Sequence, residues 1–282
     1  MVDLHTHSIH SDGRFTPEEV VDKAYNSGVR YLSLTDHDTI SGIPEFLEAS
    51  KKYKDIHPVI GCEVSARLTD VDEIHILALG IKKLEQFDRF VQRSRYVRGF
   101  AVVERIKLLQ QSGYNIGYDD ILNSENYKGT LTNEHVRSFI IREKIITPEN
   151  FKELKPFKNG GCAHLNVYGL FPTIKECLKA IHDAGAIAIM AHPYKVEVRN
   201  SILFELIKKM KDDGLDGLEC YHSNHTLEQT ETYLEFAEKL DMLVTGGSDH
   251  HGKEEQEYKE YGMSNKLEQK IPIELVKNLP IF

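Results

Sequence analysis

The sequence predicts an α/β protein, a barrel of strands alternating with helices into which a small helical segment is inserted. Short apolar runs with a period of two alternate with capped amphipathic segments near the start of the chain and again near its end. About a hundred residues without a clear strand separate these two regions, far more than one crossover needs. The 282 residues suffice for one such barrel or for two ordinary domains.

The first predicted strand, Val2 to His7, shows the pattern on which the other strand predictions rest. Apolar and polar residues alternate in it, so His5 and His7 point to the same side. A helix from Thr16 to Ser27 follows, with Thr16 as its N-cap and Glu19 completing a capping box. The remaining elements of this half are a strand over 29–38, a helix over 41–54, and strands over 58–64 and 73–79.

Regular alternation then stops, and it resumes only after residue 170. One long helix is predicted from Leu84 to Gly113 and a short one over 133–144. Because strands that alternate with helices pair in parallel, we expect a parallel sheet. Residues 1–98 and 171–282 are assigned to the barrel and residues 99–170 to the inserted helical subdomain. The later elements are helices over 173–184, 200–213 and 226–240, and strands over 186–191, 216–221 and 242–247.

Composition describes a soluble protein, with 40% hydrophobic and 28% charged residues. No run of about 18 apolar residues occurs, so no membrane span is expected. Met1 stands directly before the first strand and leaves no room for a signal peptide, so we expect a cytoplasmic location. A net charge of −9 argues against a surface that coats nucleic acid, but it leaves a nucleotide substrate open. The four cysteines form no CxxC pair and are expected to be free thiols.

Six predicted strands carry an imidazole or a carboxylate at or near one end, where barrels collect their chemistry. Any one of these residues could be an ordinary hydrogen-bonded histidine or acid. Together, six histidines and three acids would destabilise a core that held no cations. One ion takes roughly four to six ligands, so nine suit two or three divalent cations, and the absence of thiolate favours manganese, iron or zinc. The candidate ligands are His5, His7, Asp12, His37, Glu63, His75, His192, Asp249 and His251.

These residues stand in a series of motifs that resembles the PHP (polymerase and histidinol phosphatase) family. The resemblance extends from the first residue to His251 and implies a distorted seven-stranded (β/α) barrel with a trinuclear metal site. Within the family, the insertion and the segment from Glu219 to Thr226 resemble the bacterial group that removes the 3′-phosphate from nucleoside 3′,5′-bisphosphates and trims short RNA from the 5′ end. The motifs are Asp3-Leu4-His5-Thr6-His7, Ser11-Asp12-Gly13, Thr35-Asp36-His37-Asp38, Gly61-Cys62-Glu63, Ile74-His75-Ile76-Leu77, Ala191-His192-Pro193 and Gly247-Ser248-Asp249-His250-His251.

The resemblance also implies a role for each residue, with Glu63 as a bridging ligand. The implied ligand sets are His5, His7, Glu63 and Asp249 for the first metal, Asp12, His37 and His251 for the second, and Glu63, His75 and His192 for the third. Among these we expect Glu63, His37 and His192 to matter most for catalysis. Asp3, Asp36, Asp38 and Glu219 are expected either to fix the tautomers of neighbouring imidazoles or to cap helices and turns, and the first role is favoured for Asp36 because it flanks a ligand.

Such a site predicts a metal-dependent phosphoesterase, because paired cations can clamp a phosphate and activate a water molecule. The expected substrate is a small phosphomonoester, such as a nucleotide or nucleoside bisphosphate, or the 5′ end of a short RNA or DNA. Two alternatives stay open. One is a histidinol-phosphatase-like or other metal-dependent hydrolase on the same site, and the other is a non-catalytic module that binds metal or nucleotide.

Substrate contacts are expected from the insertion and from the segment after the sixth strand. His135 resembles a family histidine near the substrate. His225 and His222 are candidate acids for the leaving group, and either could equally be a solvated loop histidine. One or two of Arg93, Arg95 and Arg98 could reach a second phosphate, with Arg98 chosen as the site residue. Most of the basic residues of 82–107, a set that includes Arg105, are expected on a solvated helix face. Asn133 stands where nucleotide-acting members carry an arginine, and the missing guanidinium weakens the case for a second phosphate.

Overall fold

The computed structural model describes residues 1–70, 72–124, 127–158, 160–252, 260–264 and 269–281. Its main sheet has seven strands in chain order: β1 (Val2–Asp3), β2 (Tyr31–Leu34), β3 (His57–Thr69), β4 (Asp72–Leu79), β5 (Ile187–Met190), β6 (Gly217–His222) and β7 (Leu243–Gly247). Just past β1, the Leu4 amide donates to the Gly246 carbonyl of β7 at 3.1 Å. The sheet therefore curls into a nearly closed barrel, which confirms the predicted fold class.

Helices surround this barrel and build the insertion. Thr16, Thr173 and Thr226 cap the helices that begin at Pro17, Ile174 and Leu227 with capping boxes, as the sequence predicts for Thr16. No helix in the described parts of the chain is both long and apolar enough to cross a membrane. The helices are α1 (Pro17–Asn26), α2 (Ile43–Ser50), α3 (Leu84–Gln111), α4 (Tyr118–Ser124), α5 (Asn133–Arg142), α6 (Pro148–Leu154), α7 (Ile174–Asp183), α8 (Asn200–Asp212) and α9 (Leu227–Lys239).

The expectation of a wholly parallel sheet is wrong at β4, which runs antiparallel to both β3 and β5. The physical reason is the connection. β3 ends at Thr69 and β4 begins at Asp72, so the two strands form a hairpin, and a hairpin pairs antiparallel. The start of β4 consequently lies at the barrel end where the parallel strands finish. His75 is paired there with Ser65 of β3.

The first strand is shorter than predicted, since only Val2 and Asp3 pair with β2. Residues 4–7 stay hydrogen-bonded, Leu4 to β7 itself and Thr6 and His7 to the segments that follow β2 and β7. The His7 amide donates to the His250 carbonyl at 3.0 Å, and the Thr35 amide donates to the Thr6 carbonyl at 2.9 Å. Alternation therefore predicted correctly that His5 and His7 share a side, since Nε2 of each lies 3.2 Å from Glu63 Oε2, although it could not identify the backbone partners.

Apolar side chains fill the barrel below the polar end. Glu63 pairs with Leu77 across β3 and β4, so Leu77 and Leu79 share its face of the sheet, and they pack with Val59 and Ile189. The opposite face carries residues such as Ile76, which pack against the surrounding helices. The short 3₁₀ helix Ile273–Asn278 contributes Val276 to the inner cluster.

A separate apolar cluster holds the helical insertion together, and we call it the insertion core. It joins the second half of α3 to the helices that follow and extends along the chain from Val102 to Ala163. The boundaries of the insertion at residues 99 and 170 stay a prediction. The fully buried members of the insertion core are Val102, Leu109, Val136, Ile140 and Ala163.

Candidate metal centre

The nine predicted ligands lie together at one end of the barrel, and we call them the ligand cluster. His5 and His7 follow β1, His37 follows β2, and His192 follows β5. Seven of the nine are buried, with exposed fractions of 0% to 7%, whereas Asp12 and His75 are partly exposed. Residues spread over 247 positions of sequence, from 5 to 251, thus meet in one pocket.

Glu63 occupies the middle of the ligand cluster. One carboxylate oxygen, Oε2, faces one group of imidazoles and the other oxygen, Oε1, faces a second group. The distances from Oε2 are 3.2 Å to Nε2 of His5, 3.2 Å to Nε2 of His7 and 3.1 Å to Nδ1 of His37, and those from Oε1 are 2.7 Å to Nδ1 of His75 and 2.8 Å to Nε2 of His192. A single carboxylate therefore contacts ligand candidates from three strand ends and from β4.

Possible ligand atoms in four groups lie within 4.8 Å of one another: His5, His7, Glu63 and Asp249; His7, Asp12, His37 and His251; His37, Glu63 and His75; and His5, Glu219 and His222, the last with two residues outside the predicted nine. The first group has the members of the first predicted set, and the second adds His7 to the second set. In the third, His37 stands where His192 was expected, although His192 contacts Glu63 directly. The metal that each side chain would hold stays a prediction.

The donor atoms of this cluster fit divalent cations. Nε2 of His5, Nε2 of His7 and Oε2 of Glu63 are buried and make no hydrogen bond to any described residue, although they are about 3 Å apart. Leaving each such atom unsatisfied costs about 1–3 kcal/mol. On His5, Nδ1 lies 2.9 Å from Glu219 Oε1, so a proton on Nδ1 leaves the Nε2 lone pair aimed at Glu63. A cation between these atoms would satisfy all three.

The charges in the pocket lead to the same conclusion. Burial alone would lower the pKa of His5, but the carboxylates of Glu219, Glu63 and Asp249 raise it well above its usual value. The pKa of His7 rises to about 9 against the same effect of burial, because it lies beside Asp249 and Glu63. Burial lowers the pKa of His37 well below its usual value. The acids thus favour a positive charge among them. Cations bound by neutral imidazoles would supply that charge.

Backbone strain turns three strand ends toward the pocket. Positive φ values of 52°, 31° and 53° occur at Asp38, His192 and Asp249. Residues other than glycine seldom adopt this conformation. Each such residue costs on the order of 1–3 kcal/mol and persists where the surrounding structure holds it. The sharp turn at His192 places its ring beside Glu63 directly after β5.

The three predicted supporting carboxylates act on different partners. Glu219 contacts the His5 ring and also accepts the His192 amide at 2.7 Å. Asp36 accepts from the Ser8 amide and from the Ser11 hydroxyl, and so holds the loop that carries Asp12. Asp3 accepts from the Ser248 amide and hydroxyl and from the Gly262 amide, which fixes the loop after β7. Glu219 thus orients a ring, whereas Asp3 and Asp36 hold turns. For Asp36 the sequence had favoured a contact with an imidazole, but its carboxylate accepts from Ser8 and Ser11.

The predicted substrate residues lie around the cluster in unequal positions. Arg98 donates to Asp38 Oδ2 and to Ser65 Oγ, both at 2.6 Å, and its Nη2 lies 3.4 Å from His37 Nδ1. His135 accepts the Thr132 amide on Nδ1 and so caps α5. The ring of His225 is buried with Nδ1 2.9 Å from the Cys220 carbonyl, and burial lowers its pKa to about 4. His225 is therefore neutral near pH 7, which disfavours it as an acid.

Two basic residues near the site were not singled out from the sequence. Arg105 is not on a solvated face as expected, since it is only 3% exposed and donates to Asn133 Oδ1 at 2.6 Å. Lys195 lies three residues after His192 and lines a cleft of about 340 Å³ that opens beside His75 and His192. Helix periodicity could have flagged Arg105, because it falls on the buried stripe of α3 with Val102 and Leu109.

Comparison with known proteins identifies the relatives of this chain. The sequence profile of the PHP domain matches residues 3–141. A 5′-3′ exoribonuclease of Haemophilus influenzae is 30% identical over 88% of this chain and 89% of its own length. A phosphoribosyl 1,2-cyclic phosphate 1,2-diphosphodiesterase of Eggerthella lenta is 28% identical over 89% of this chain and 94% of its length. A 3′,5′-nucleoside bisphosphate phosphatase of Chromobacterium violaceum is 26% identical over 89% and 87%.

Solved structures support the same relationship. A proposed metal-dependent phosphoesterase of Bifidobacterium adolescentis superposes with a TM-score of 0.81 at 26% identity, covering 98% of this chain and 94% of the other. A protein of Chromobacterium violaceum described as an amidohydrolase, with sulfate bound, superposes with a TM-score of 0.84 at 23% identity, covering 99% and 92%. At that identity the second likeness shows the fold alone.

Proposed function

The chain belongs to the PHP domain family as a metal-dependent phosphoesterase, and we propose that it hydrolyses a nucleotide-sized phosphomonoester. The observation that carries this proposal is the position of Glu63, whose two oxygens contact five imidazoles while Oε2 makes no hydrogen bond to a described residue. Such a carboxylate suits a bridge between cations. We propose two or three ions of manganese, iron or zinc, held by the three predicted ligand sets.

When bound, these ions supply Lewis-acid polarisation of the phosphoryl oxygens and a water molecule of lowered pKa. The protein residues hold this chemistry in place. Glu63 and His37 contact each other at 3.1 Å on one side of the pocket. Glu219 fixes both the His5 ring and the His192 backbone. Burial of the cluster excludes bulk water, which strengthens each electrostatic contact with a phosphate.

The cleft beside His75 and His192 favours a small substrate over a long polyanion. Its charged lining residues are two lysines and three acids, and the acids would repel the phosphates of an extended RNA. A single nucleotide offers one reacting phosphate to the cations and a neutral ribose and base to the rest of the cleft. Those lining residues are Lys158, Lys195, Asp72, Glu73 and Glu197.

The relatives leave several phosphoesters open, because their names specify an RNA, a cyclic phosphate and a nucleoside bisphosphate. We propose a nucleoside bisphosphate or monophosphate as the first candidate and the 5′ end of a short oligonucleotide as the second. Arg105 supports the bisphosphate, since it brings a guanidinium to Asn133, the position where nucleotide-acting members carry an arginine. The four free cysteines, three of them buried, support a reducing compartment such as the cytoplasm.

A substrate panel tests the proposal. The protein is stripped of metal, reloaded separately with manganese, ferrous iron or zinc, and assayed in two ways. Released inorganic phosphate reports cleavage of a phosphomonoester, and chromatography of the products reports mononucleotides cut from the trinucleotide and the opened ring of the cyclic phosphate. The panel holds a nucleoside 3′,5′-bisphosphate, a nucleoside 5′-monophosphate, a 5′-phosphorylated trinucleotide, a ribose cyclic phosphate and histidinol phosphate. We expect the highest kcat/KM on the bisphosphate or monophosphate. Preferred turnover of histidinol phosphate would favour the first alternative, and tight metal binding without turnover would favour a binding module.

A further inference from the structure

Lys195 lies at the open side of the ligand cluster, and the mechanism described above does not use it. It is the last residue of the 3₁₀ turn Pro193–Lys195, whose first hydrogen bond joins the Lys195 amide to the His192 carbonyl at 3.0 Å. Because His192 adopts φ = 31°, the chain doubles back directly after β5. The turn therefore directs the lysine side chain back over the pocket.

The ammonium group of Lys195 has a loose contact with Asp249. Nζ lies 3.9 Å from Asp249 Oδ2, which is beyond the 2.7–3.2 Å of a hydrogen bond. No described residue accepts a hydrogen bond from Nζ, and the side chain is 45% exposed. Like other exposed lysines, the group is charged at neutral pH. A charged group whose N–H bonds have no acceptor among the described residues thus faces the cleft.

Asp249 shows which side of the pocket this charge occupies. Its Oδ1 faces the cluster, 3.3 Å from Nε2 of His7, while its Oδ2 faces Lys195 and lies 3.5 Å from Nε2 of His222. Lys195 therefore approaches the Asp249 oxygen that does not face His7, at the rim of the cleft that His75 and His192 also line. A phosphate held at the cluster would present an oxygen to this rim.

Arg98, the other cation at the cluster, is placed differently. Its Nε and Nη2 are engaged by Asp38 and Ser65 at 2.6 Å, so these donors serve the protein. A lysine ammonium is a compact charge on a flexible stem and can follow a phosphate that moves during reaction. The comparison favours Lys195 as the cation available to the substrate.

We propose that Lys195 contacts a phosphoryl oxygen of the substrate in the cleft and is a specificity-determining residue for phosphate esters. The identity of this ligand rests on the proposed function. A hydrogen bond from a charged group to a phosphate is expected to change affinity about ten- to a hundredfold. A competing role, in which Lys195 only steadies Asp249, would instead alter metal retention.

The test compares Lys195→Met and Lys195→Arg with the wild type and with Lys179→Met. Lys179 is an exposed lysine of α7 that pairs with Asp183, so its loss matches the change of charge far from the cleft. Manganese-loaded proteins are titrated with inorganic phosphate by calorimetry, and bound metal is counted by mass spectrometry. KM and kcat are then measured on the preferred phosphomonoester.

We expect Lys195→Met to raise the phosphate Kd and the KM about ten- to a hundredfold, with metal content and melting temperature unchanged. Lys195→Arg should recover most of the affinity, and Lys179→Met should behave as wild type. Unchanged phosphate affinity in Lys195→Met would overturn the proposal, as would a parallel loss of metal or a wild type that binds no phosphate.

The two proposals fail separately. A wild type that binds phosphate through Lys195 but hydrolyses no phosphoester rejects the function and supports the contact. An active phosphatase whose Lys195→Met variant keeps full phosphate affinity rejects the contact and supports the function.

Discussion

The ligand cluster and the insertion core are both buried, but opposite forces hold them. The ligand cluster gathers imidazoles and acids around Glu63, and its unsatisfied atoms need an added positive charge. The insertion core gathers aliphatic side chains such as Val136 and Ile140, which gain free energy from burial without any partner ion. The difference implies that the stability of the ligand cluster should depend on bound metal. The stability of the insertion core should depend on how well its side chains fill space. Each experiment below tests whether the two regions respond separately.

One short segment connects the two regions. The Lys128 amide donates to the Ile9 carbonyl at 2.9 Å, and the Thr130 amide donates to the His10 carbonyl at 2.8 Å. The loop from Ser8 to Asp12 is thereby held by the insertion on one side and by Asp36 on the other. A change in this segment should therefore affect both the insertion core and the ligand cluster.

The largest effect is expected from Glu63→Gln, which keeps the size of the side chain but removes its charge. We expect kcat to fall at least about a hundredfold, with part of the bound metal lost, because the bridging anion disappears. Phosphate release and metal content measure both effects. Glu85→Gln, at an exposed ion pair on α3, is the matched control and should match wild type. An active Glu63→Gln enzyme would reject the bridging role.

Metal removal should destabilise the whole chain through the ligand cluster. A ligand that binds only the folded state at a hundred times its Kd adds about 2.7 kcal/mol of stability. We expect chelation to lower the melting temperature and manganese to restore it, as followed by circular dichroism. Equal melting temperatures of the stripped and loaded proteins would show that the ligand cluster needs no bound cation for stability.

Ile140→Ala should act on the insertion core alone. Ile140 is fully buried in α5, and truncation to alanine costs about 2–5 kcal/mol through lost burial and an added cavity. Urea unfolding measures this loss, and Ile140→Val is the control, with an expected cost of about 0.5–1.5 kcal/mol. Metal content and kcat of the folded Ile140→Ala protein should stay close to wild type. A large fall in bound metal would break the separation between the two regions.

Gly129→Ala should disturb both regions, because an added Cβ would collide with the His10 carbonyl oxygen. We expect a loss of about 1–2 kcal/mol from the two backbone hydrogen bonds at this junction. A several-fold fall in kcat should accompany it through the Asp12 loop. Gly99→Ala, whose Cβ would meet nothing within 4 Å, is the control and should be neutral or stabilising. Gly129→Ala with unchanged kcat would show that the insertion does not hold this loop.

The smallest effect is expected from Thr173→Ala, at the N-cap of α7. The Thr173 hydroxyl accepts the Glu176 amide at 3.3 Å, and such a cap contributes about 1 kcal/mol. Unfolding in urea should show that loss without any change in metal content or kcat. A greater loss, or one accompanied by metal release, would mean that the helix layer is coupled to the ligand cluster.

Some of these features were readable in the sequence because they are local. The period of two placed His5 and His7 on one side, and the rule that barrel chemistry lies at strand ends singled out His37 and Glu63. The cap at Thr173 was readable because a capping box spans only four residues. The roles of the nine ligands stay predictions, although the structure brings all nine together.

Other features could not be read in this way. A lysine three residues after a histidine has no signature of its own, so Lys195 became visible only when the turn at His192 directed it over the cleft. Arg105 was expected in solvent because a guanidinium is seldom buried, and only the contact between α3 and α5 shows that Asn133 accepts it. The direction of β4 followed from a hairpin that the alternation of strands and helices had obscured.

By itself the sequence determined the class of fold and the side chains able to bind cations, because both follow from residue type and short-range periodicity. The tertiary structure alone decided that Glu63 lies at their centre, that Glu219 rather than Asp36 contacts the His5 ring, and that Lys195 faces the cleft. The reason is physical: a side chain's chemistry is intrinsic to the residue, whereas its partners depend on where distant segments of the chain meet.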